Sequence, residues 1–395
     1  MSSTGSRARR QRRALAGAAA VAALALAATA CGPEENDADP KPSASSEKSA
    51  QDLREELGLP DKLPEDLPAA LKDLDKWRGG AWKNWDREDW LREAREFVNP
   101  IIEDYWDPDR MEDAEENERD VDESEIDEGV TDPEPAPVEA EEVPLPYTEK
   151  APPVGKVLME TPQGPMVCSG TVVKDPENPG RSNLVATAGH CVHAGQKGGW
   201  FRNVVFVPHY NSSGLTPAEL REATQEQVAP NGVWWAKHAR TTTHWIENGA
   251  SSGGTGAPQD FAVLKVQPED KNAKSTKSLE ETVGGAVEVD FGTPGVQGIP
   301  SLTANGYPAA PPFTGERMYR CEDEPGRLTL DPSQPTMYRI GCTMTGGSSG
   351  GGWLSADGKR LLSVTSIGPV THGWLAGPRL GDEAEAVFEA VGSLD

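Results

Sequence analysis

From Val154 onward the chain breaks into apolar runs of strand length separated by Gly-, Pro- and Asn-rich turns: Met166–Lys174, Leu184–Ala188, Val204–Pro208, Gly232–Lys237, Phe261–Val266, Ala286–Phe291, Met337–Thr343 and Leu361–Ile367. Runs this short, punctuated this regularly, specify strands rather than helices. One helical pattern follows them, with Ala384, Val387, Phe388 and Val391 on one face, and it stops near Gly392. The spacing predicts an all-β domain over residues 151–395, a barrel or sandwich with a C-terminal helix. That region is long enough to bury a substantial core.

What precedes it has a different character. The whole chain carries a formal net charge of -26, of which residues 1–31 contribute +5, residues 32–150 contribute -25 and residues 151–395 contribute -6. A balance this acidic disfavours nucleic acid as a partner. Residues 32–150 are rich in Pro, Glu, Asp and Ser, and Glu112 to Glu142 is nearly a continuous acidic tract broken by Pro133, Pro135 and Pro137. Such a tract repels itself and is expected to stay extended and largely disordered. Asp120, Asp122, Ser124 and Asp127 do not make a calcium loop, because Glu125 stands where the turn glycine belongs and Thr131 where the closing Glu belongs. Within the region, Trp77, Trp82, Trp85, Trp90 and Trp106 accompany a helical spacing at Leu91, Ala94, Phe97 and Ile101, with Asp86 as a cap and Asn99-Pro100 as a stop. Two readings stand: a helical pro-piece packed on the downstream domain, or a stalk with its helix weakly docked. The stalk is the expectation taken forward.

The amino terminus reads as an export signal. Arg7, Arg9, Arg10, Arg12 and Arg13 precede an uncharged Ala-rich run from Ala14 to Ala30, short and weakly apolar for a membrane span. Its end, Ala28-Thr29-Ala30-Cys31, fits an A-x-A cleavage site and also resembles a lipobox, in which Cys31 would be lipidated and anchor the chain to the outer face of the membrane. Four of the five cysteines lie in the last region, so Cys31 is the odd one in an oxidising setting, and a lipid accounts for it.

The last region also carries chemistry. Cys168-Ser169-Gly170-Thr171 is followed by Thr187-Ala188-Gly189-His190-Cys191, and later by Thr345-Gly346-Gly347-Ser348-Ser349-Gly350-Gly351. This text resembles the trypsin-like, chymotrypsin-fold serine peptidases, most closely their secreted bacterial members, over about residues 154–392. The resemblance implies two six-stranded antiparallel β-barrels and the hydrolysis of peptide bonds. A serine hydroxyl is a poor nucleophile at neutral pH, so an imidazole must take its proton and a buried carboxylate must hold that imidazole in the right tautomer. By resemblance Ser349 is the nucleophile, His190 the general base, and Asp260, just before the apolar Phe261–Val266, the carboxylate. Asp290 is the runner-up. The N–H groups of Gly347 and Ser349 would form the oxyanion hole. The remaining histidines, His193, His209, His238, His244 and His372, lack the motif and read as surface or structural.

Four cysteines allow three pairings, and the family pattern selects Cys168 with Cys191, leaving Cys321 for Cys342. A phosphate loop at Gly346–Gly352 is disfavoured for want of a Lys and a following helix, and a zinc site around Cys191 and His193 by compartment and spacing. Two departures from the family matter. Ser348 replaces the Asp that many animal members use to pair with a new amino terminus, so that activation switch is absent; Gly352 replaces the usual Pro, which should loosen the turn. The primary pocket is expected between the residues before Ser349 and the strand Leu361–Gly368. Thr343, Thr365 and Ser366, with help from His372, suit a small or acidic side chain better than Arg or Lys.

The expectation is thus an exported serine endopeptidase acting on protein or peptide substrates, monomeric, without metal or cofactor, touching a membrane only through Cys31. Its domains are a signal (1–31), an acidic stalk or pro-region (32–150) and a peptidase domain (151–395). A non-catalytic binding protein on the same fold, or a surface protein whose acidic Trp-bearing region binds partners, are the competing classes.

Overall fold

The computed structural model describes residues 97–394 apart from 98, 118, 128, 197, 251 and 270–275. The export signal, Cys31 and the tryptophans before Trp106 lie outside the described residues. The predicted helix does not include Phe97 or Asn99–Ile102, which are non-helical. Asn99 instead uses its side chain on strand backbone, donating to the carbonyls of Val204 and Ala236 and accepting from the Val204 N–H.

Three two-residue strands precede the main domain: β1 (Glu115–Glu116), β2 (Asp120–Val121) and β3 (Glu141–Glu142). Then come β4 (Val154–Thr161), β5 (Gly164–Val173), β6 (Leu184–Thr187), β7 (Arg202–Pro208), β8 (Trp234–Thr241) and β9 (Ala262–Pro268). These six pair in the order β5-β4-β7-β8-β9-β6, and β6 returns to β5, so the sheet closes into a six-stranded barrel. Closure leaves no interior strand edge unpaired. The Val, Leu and Phe side chains of β4, β6, β7 and β9 fill it, with Val157, Val185, Phe206 and Val263 fully buried. β4 escapes a reading by apolar runs because Gly155, Lys156 and Glu160 interrupt it, yet all of it is buried.

The second half contains β10 (Glu288–Val289), β11 (Leu302–Gly306), β12 (Tyr319–Asp323), β13 (Gly326–Leu328), β14 (Met337–Gly341), β15 (Gly352–Ser355), β16 (Arg360–Val364), β17 (Gly368–Pro369) and β18 (Trp374–Gly377). One sheet runs β10-β16-β15-β11-β12-β3 and another β13-β14-β18. Trp353, Leu302, Ile340 and the Cys321–Cys342 disulfide lie between them in a second core.

The terminal helix, Asp382–Gly392, buries Ala384, Val387, Phe388 and Val391 as its period predicts. Asp382, Glu383 and Glu385 lie in its first turn, and Lys265 donates to the carbonyls of Gly392 and Leu394 at its end, both favourable to the helix dipole.

The described part of the acidic segment, from Phe97 onward, packs on the domain. Trp106 is fully buried and donates its indole N–H to the Asn203 carbonyl at 2.7 Å. Tyr105 donates to Glu160 at 2.6 Å, and Arg110 pairs with the same carboxylate. Further along, Asp132 binds Arg327 through both carboxylate oxygens and β3 pairs antiparallel with β12. Tyr147, fully buried, accepts from the Met318 N–H. The described part of the tract is held on the domain by pairing of its short strands and by Arg327, while Tyr105, Trp106 and Tyr147, on either side of it, are buried.

Candidate active site

Neighbouring strands β6 and β9 deliver two of the expected residues side by side. His190 sits in the short 3-10 turn Gly189–Cys191 that follows β6, and Asp260 stands just before β9, which pairs with β6 through Thr187 and Ala262. The disulfide Cys168–Cys191 ties the histidine turn to β5. Asp260 is completely buried; its Oδ2 lies 2.6 Å from His190 Nδ1 and its Oδ1 accepts the His190 backbone N–H at 2.9 Å. Ser366 donates its hydroxyl to the same Oδ2 at 2.6 Å. Burial alone would raise this carboxyl, but His190, Arg119 and the Ser366 hydroxyl outweigh it and hold the group below the ordinary aspartate value. An ionised Asp260 on Nδ1 selects the tautomer whose Nε2 carries the lone pair. That Nε2 is buried and makes no hydrogen bond in the structure.

Ser349 lies in the turn between β14 and β15. Gly347 (φ 91°) and Gly350 (φ 77°) give this turn its left-handed steps, and a Cβ on Gly350 would collide with Thr187 and the Ser169 carbonyl. The turn therefore packs directly on the end of β6 that leads to His190. The Ser169 N–H donates to the Ser349 carbonyl at 2.7 Å, Gly350 N–H to Thr365, and the Ser348 hydroxyl to Thr345 within the turn. The Gly346 carbonyl accepts from the Ala309 N–H at 2.6 Å. In a planar trans peptide this turns the Gly347 N–H to the opposite side. At the position where the family usually has proline, the Gly352 N–H donates to Thr171 Oγ1 at 3.0 Å, a bond that proline has no donor to make.

The pocket expected beside Ser349 is lined by Met344–Gly346, Ser348, Ser349, Thr365–Pro369, His372, Trp374 and Leu375, and also by Arg119 from the acidic segment. Its free volume is about 10 Å³, room for roughly one water. Ser349 is 5% and His190 3% exposed. One expectation about its lining changes. Thr343 is elsewhere: its N–H donates to Val138 and its hydroxyl accepts from Ala140, both in the acidic segment. Ser366 lines the pocket as expected, with its hydroxyl donated to Asp260. Asp290, the alternative carboxylate, is bound to Arg360 at 2.5 Å and is not near His190's partner set. Cys168 and Cys191 lie near His190, but their sulfurs are joined to each other.

Arg119 was not singled out from sequence. It is 2% exposed, 3.5 Å from Asp260 Oδ2, donates to the carbonyls of Gly253 and Thr255, and lies 4.6 Å over the Trp245 ring. The available signal was its isolation: it is the one basic residue between Glu112 and Glu142.

No protein-family model matches the chain, and no curated protein does. Solved structures do. The chain is similar to the thermostable serine protease AL20 from an extremophilic microorganism, at 30% identity over 62% of this chain and 98% of that one, with a TM-score of 0.49. It is also similar to the protease Anisep from Arthrobacter nicotinovorans, at 27% identity over 65% and 99% with a TM-score of 0.48, and to a Glu endopeptidase, at 16% identity over 67% and 100% with a TM-score of 0.46. Identity of 30% along nearly the whole of a serine protease joins the two motifs and the closed barrel in one conclusion: the chain belongs to the trypsin-like, chymotrypsin-fold serine peptidases.

Proposed function

We propose that the chain is an exported serine endopeptidase that hydrolyses peptide bonds through an acyl-enzyme on Ser349. The observation that carries this is the 2.6 Å contact of His190 Nδ1 with the buried Asp260 carboxylate, with Nε2 otherwise unpaired and the Ser349 turn packed against the same strand end. The Ser349 hydroxyl attacks the substrate carbonyl while His190 Nε2 takes its proton, and Asp260 stabilises the resulting imidazolium. The N–H groups of Gly347 and Ser349 receive the oxyanion, where donors act most strongly because water is excluded. His190 then protonates the leaving amine, and water, deprotonated by the same imidazole, releases the acid. Every step uses groups of this chain and water.

The second half is read as the second six-stranded barrel of this fold, a reading supported by its two sheets and the disulfide that links them. Two disulfides suit an oxidising compartment, which supports an extracellular protein; anchoring through a lipid on Cys31 is part of the same proposal.

The test is a fluorophosphonate probe, with mass spectrometry to locate the adduct. One adduct on Ser349, absent from Ser349→Ala and formed about 10⁴-fold more slowly in Asp260→Asn, is expected. No adduct, either on the full chain or after limited proteolysis of its acidic segment, refutes the peptidase reading in favour of a binding protein on this fold.

A further inference from the structure

Part of this chain's own acidic segment runs past the candidate site, with Arg119 in the lining of its pocket. β1 pairs in parallel with Met166–Val167 of β5, on the flank of Ser349 that carries Cys168. Asn117 donates its side-chain amide to the His190 carbonyl at 2.9 Å. Arg119 reaches Asp260 between the Trp245 ring and the carbonyls of Gly253 and Thr255. β2 then pairs in parallel with Gly368–Pro369 on the opposite flank, where the Gly368 N–H donates to the Arg119 carbonyl and Val121 packs among Ile367 and Trp374.

We propose that this stretch is an intramolecular inhibitor lying across the substrate cleft in the direction opposite to a cleavable peptide. The proposal rests on the peptidase reading above. The carbonyl that Ser349 attacks belongs to the residue whose side chain enters the pocket. Residues before it must therefore lie along the Ser366–Pro369 flank, and residues after it leave past β5. A cleavable peptide runs from β17 towards β5, whereas this segment runs from β5 at Glu115 to β17 at Val121. Threaded that way it fills both edges without offering an acyl half to the nucleophile. The His190–Asp260 contact is already formed and the Ser348–Thr345 bond already closes the nucleophile turn. Displacing the segment, rather than assembling the site, is then the step that permits catalysis.

The test compares the full chain with an Asn117→Ala/Arg119→Ala variant by the rate of fluorophosphonate labelling at Ser349 and by amide exchange at Gly368. The variant is expected to label about tenfold faster or more, since it loses several charge-assisted bonds that hold the segment, and to exchange Gly368 faster. A synthetic peptide of residues 113–122 added to the variant should slow labelling again, and the same peptide carrying Arg119→Ala should not. Equal labelling of the two chains overturns the inhibition and leaves the peptidase standing. Labelling of neither, with Gly368 exchanging faster in the variant, overturns the peptidase reading and the inhibition with it.

Discussion

Replacing Trp106 with alanine measures whether the acidic segment is part of the folded unit. The indole is fully buried in the same core as the barrel strands, and its N–H satisfies the Asn203 carbonyl at 2.7 Å. Truncating a buried tryptophan costs about 3–5 kcal/mol through lost apolar contact and the cavity left behind. For a unit somewhat above 250 residues, each kcal/mol shifts Tm by roughly 2 °C, so the expected drop is about 6–10 °C. Trp106→Phe keeps much of the apolar volume but strands the carbonyl, and should fall by about 1–2 kcal/mol. Thermal unfolding followed by circular dichroism, with urea titration to check that the m-value is unchanged, reads both. An exposed stalk residue would shift stability by no more than about 0.5 kcal/mol. A Tm change under about 1 °C for Trp106→Ala would refute the docking and return the segment to a free stalk.

Two further outcomes follow from other buried groups. Burial lowers the His193 imidazole to about 4, and its Nδ1 accepts the Gly195 N–H, so the fold holds the neutral form. Between about pH 6.5 and 4 the unfolded chain binds a proton that the folded chain refuses, so stability falls with falling pH across that window by up to about 3 kcal/mol; His193→Gln should flatten this part of a pH-stability profile, and an unchanged slope would count against it. The Cys321–Cys342 bridge closes a separation of 21 residues, and replacing both cysteines with serine should lower stability by about 3 kcal/mol in chemical denaturation.

The contact of His190 with Asp260 was more legible in the sequence than the docking of the acidic segment. The histidine and serine motifs are contiguous stretches that can be read directly, and Asp260 was picked out by the apolar strand after it. The structure brings His190 and Asp260 into contact through one strand pairing. The docking of the acidic segment was not legible, because its contacts are remote in sequence: Asn99 bonds to residues 105 and 137 positions away, and Trp106 to one 97 away. Charge repulsion led to the expectation of an extended, largely disordered segment and says nothing of the surface on which its described part lies. Ser366 lines the pocket as read, but the sequence did not show that its hydroxyl is donated to Asp260. β4, β11 and β12 went unread because Gly, Lys, Asn and Glu interrupt strands whose burial comes from tertiary packing.

The three short strands of the acidic segment also cover sheet borders. β1 pairs with β5, β2 with β17, and β3 with the outer side of β12. Unpaired strand borders are templates for joining another chain, and charge is one of the means by which proteins keep such borders apart. Residues 32–150 supply -25 of the total charge and residues 151–395 only -6. A chain trimmed to begin at residue 151 would lose its border strands and most of its net negative charge together, and is expected to self-associate more readily than the full chain.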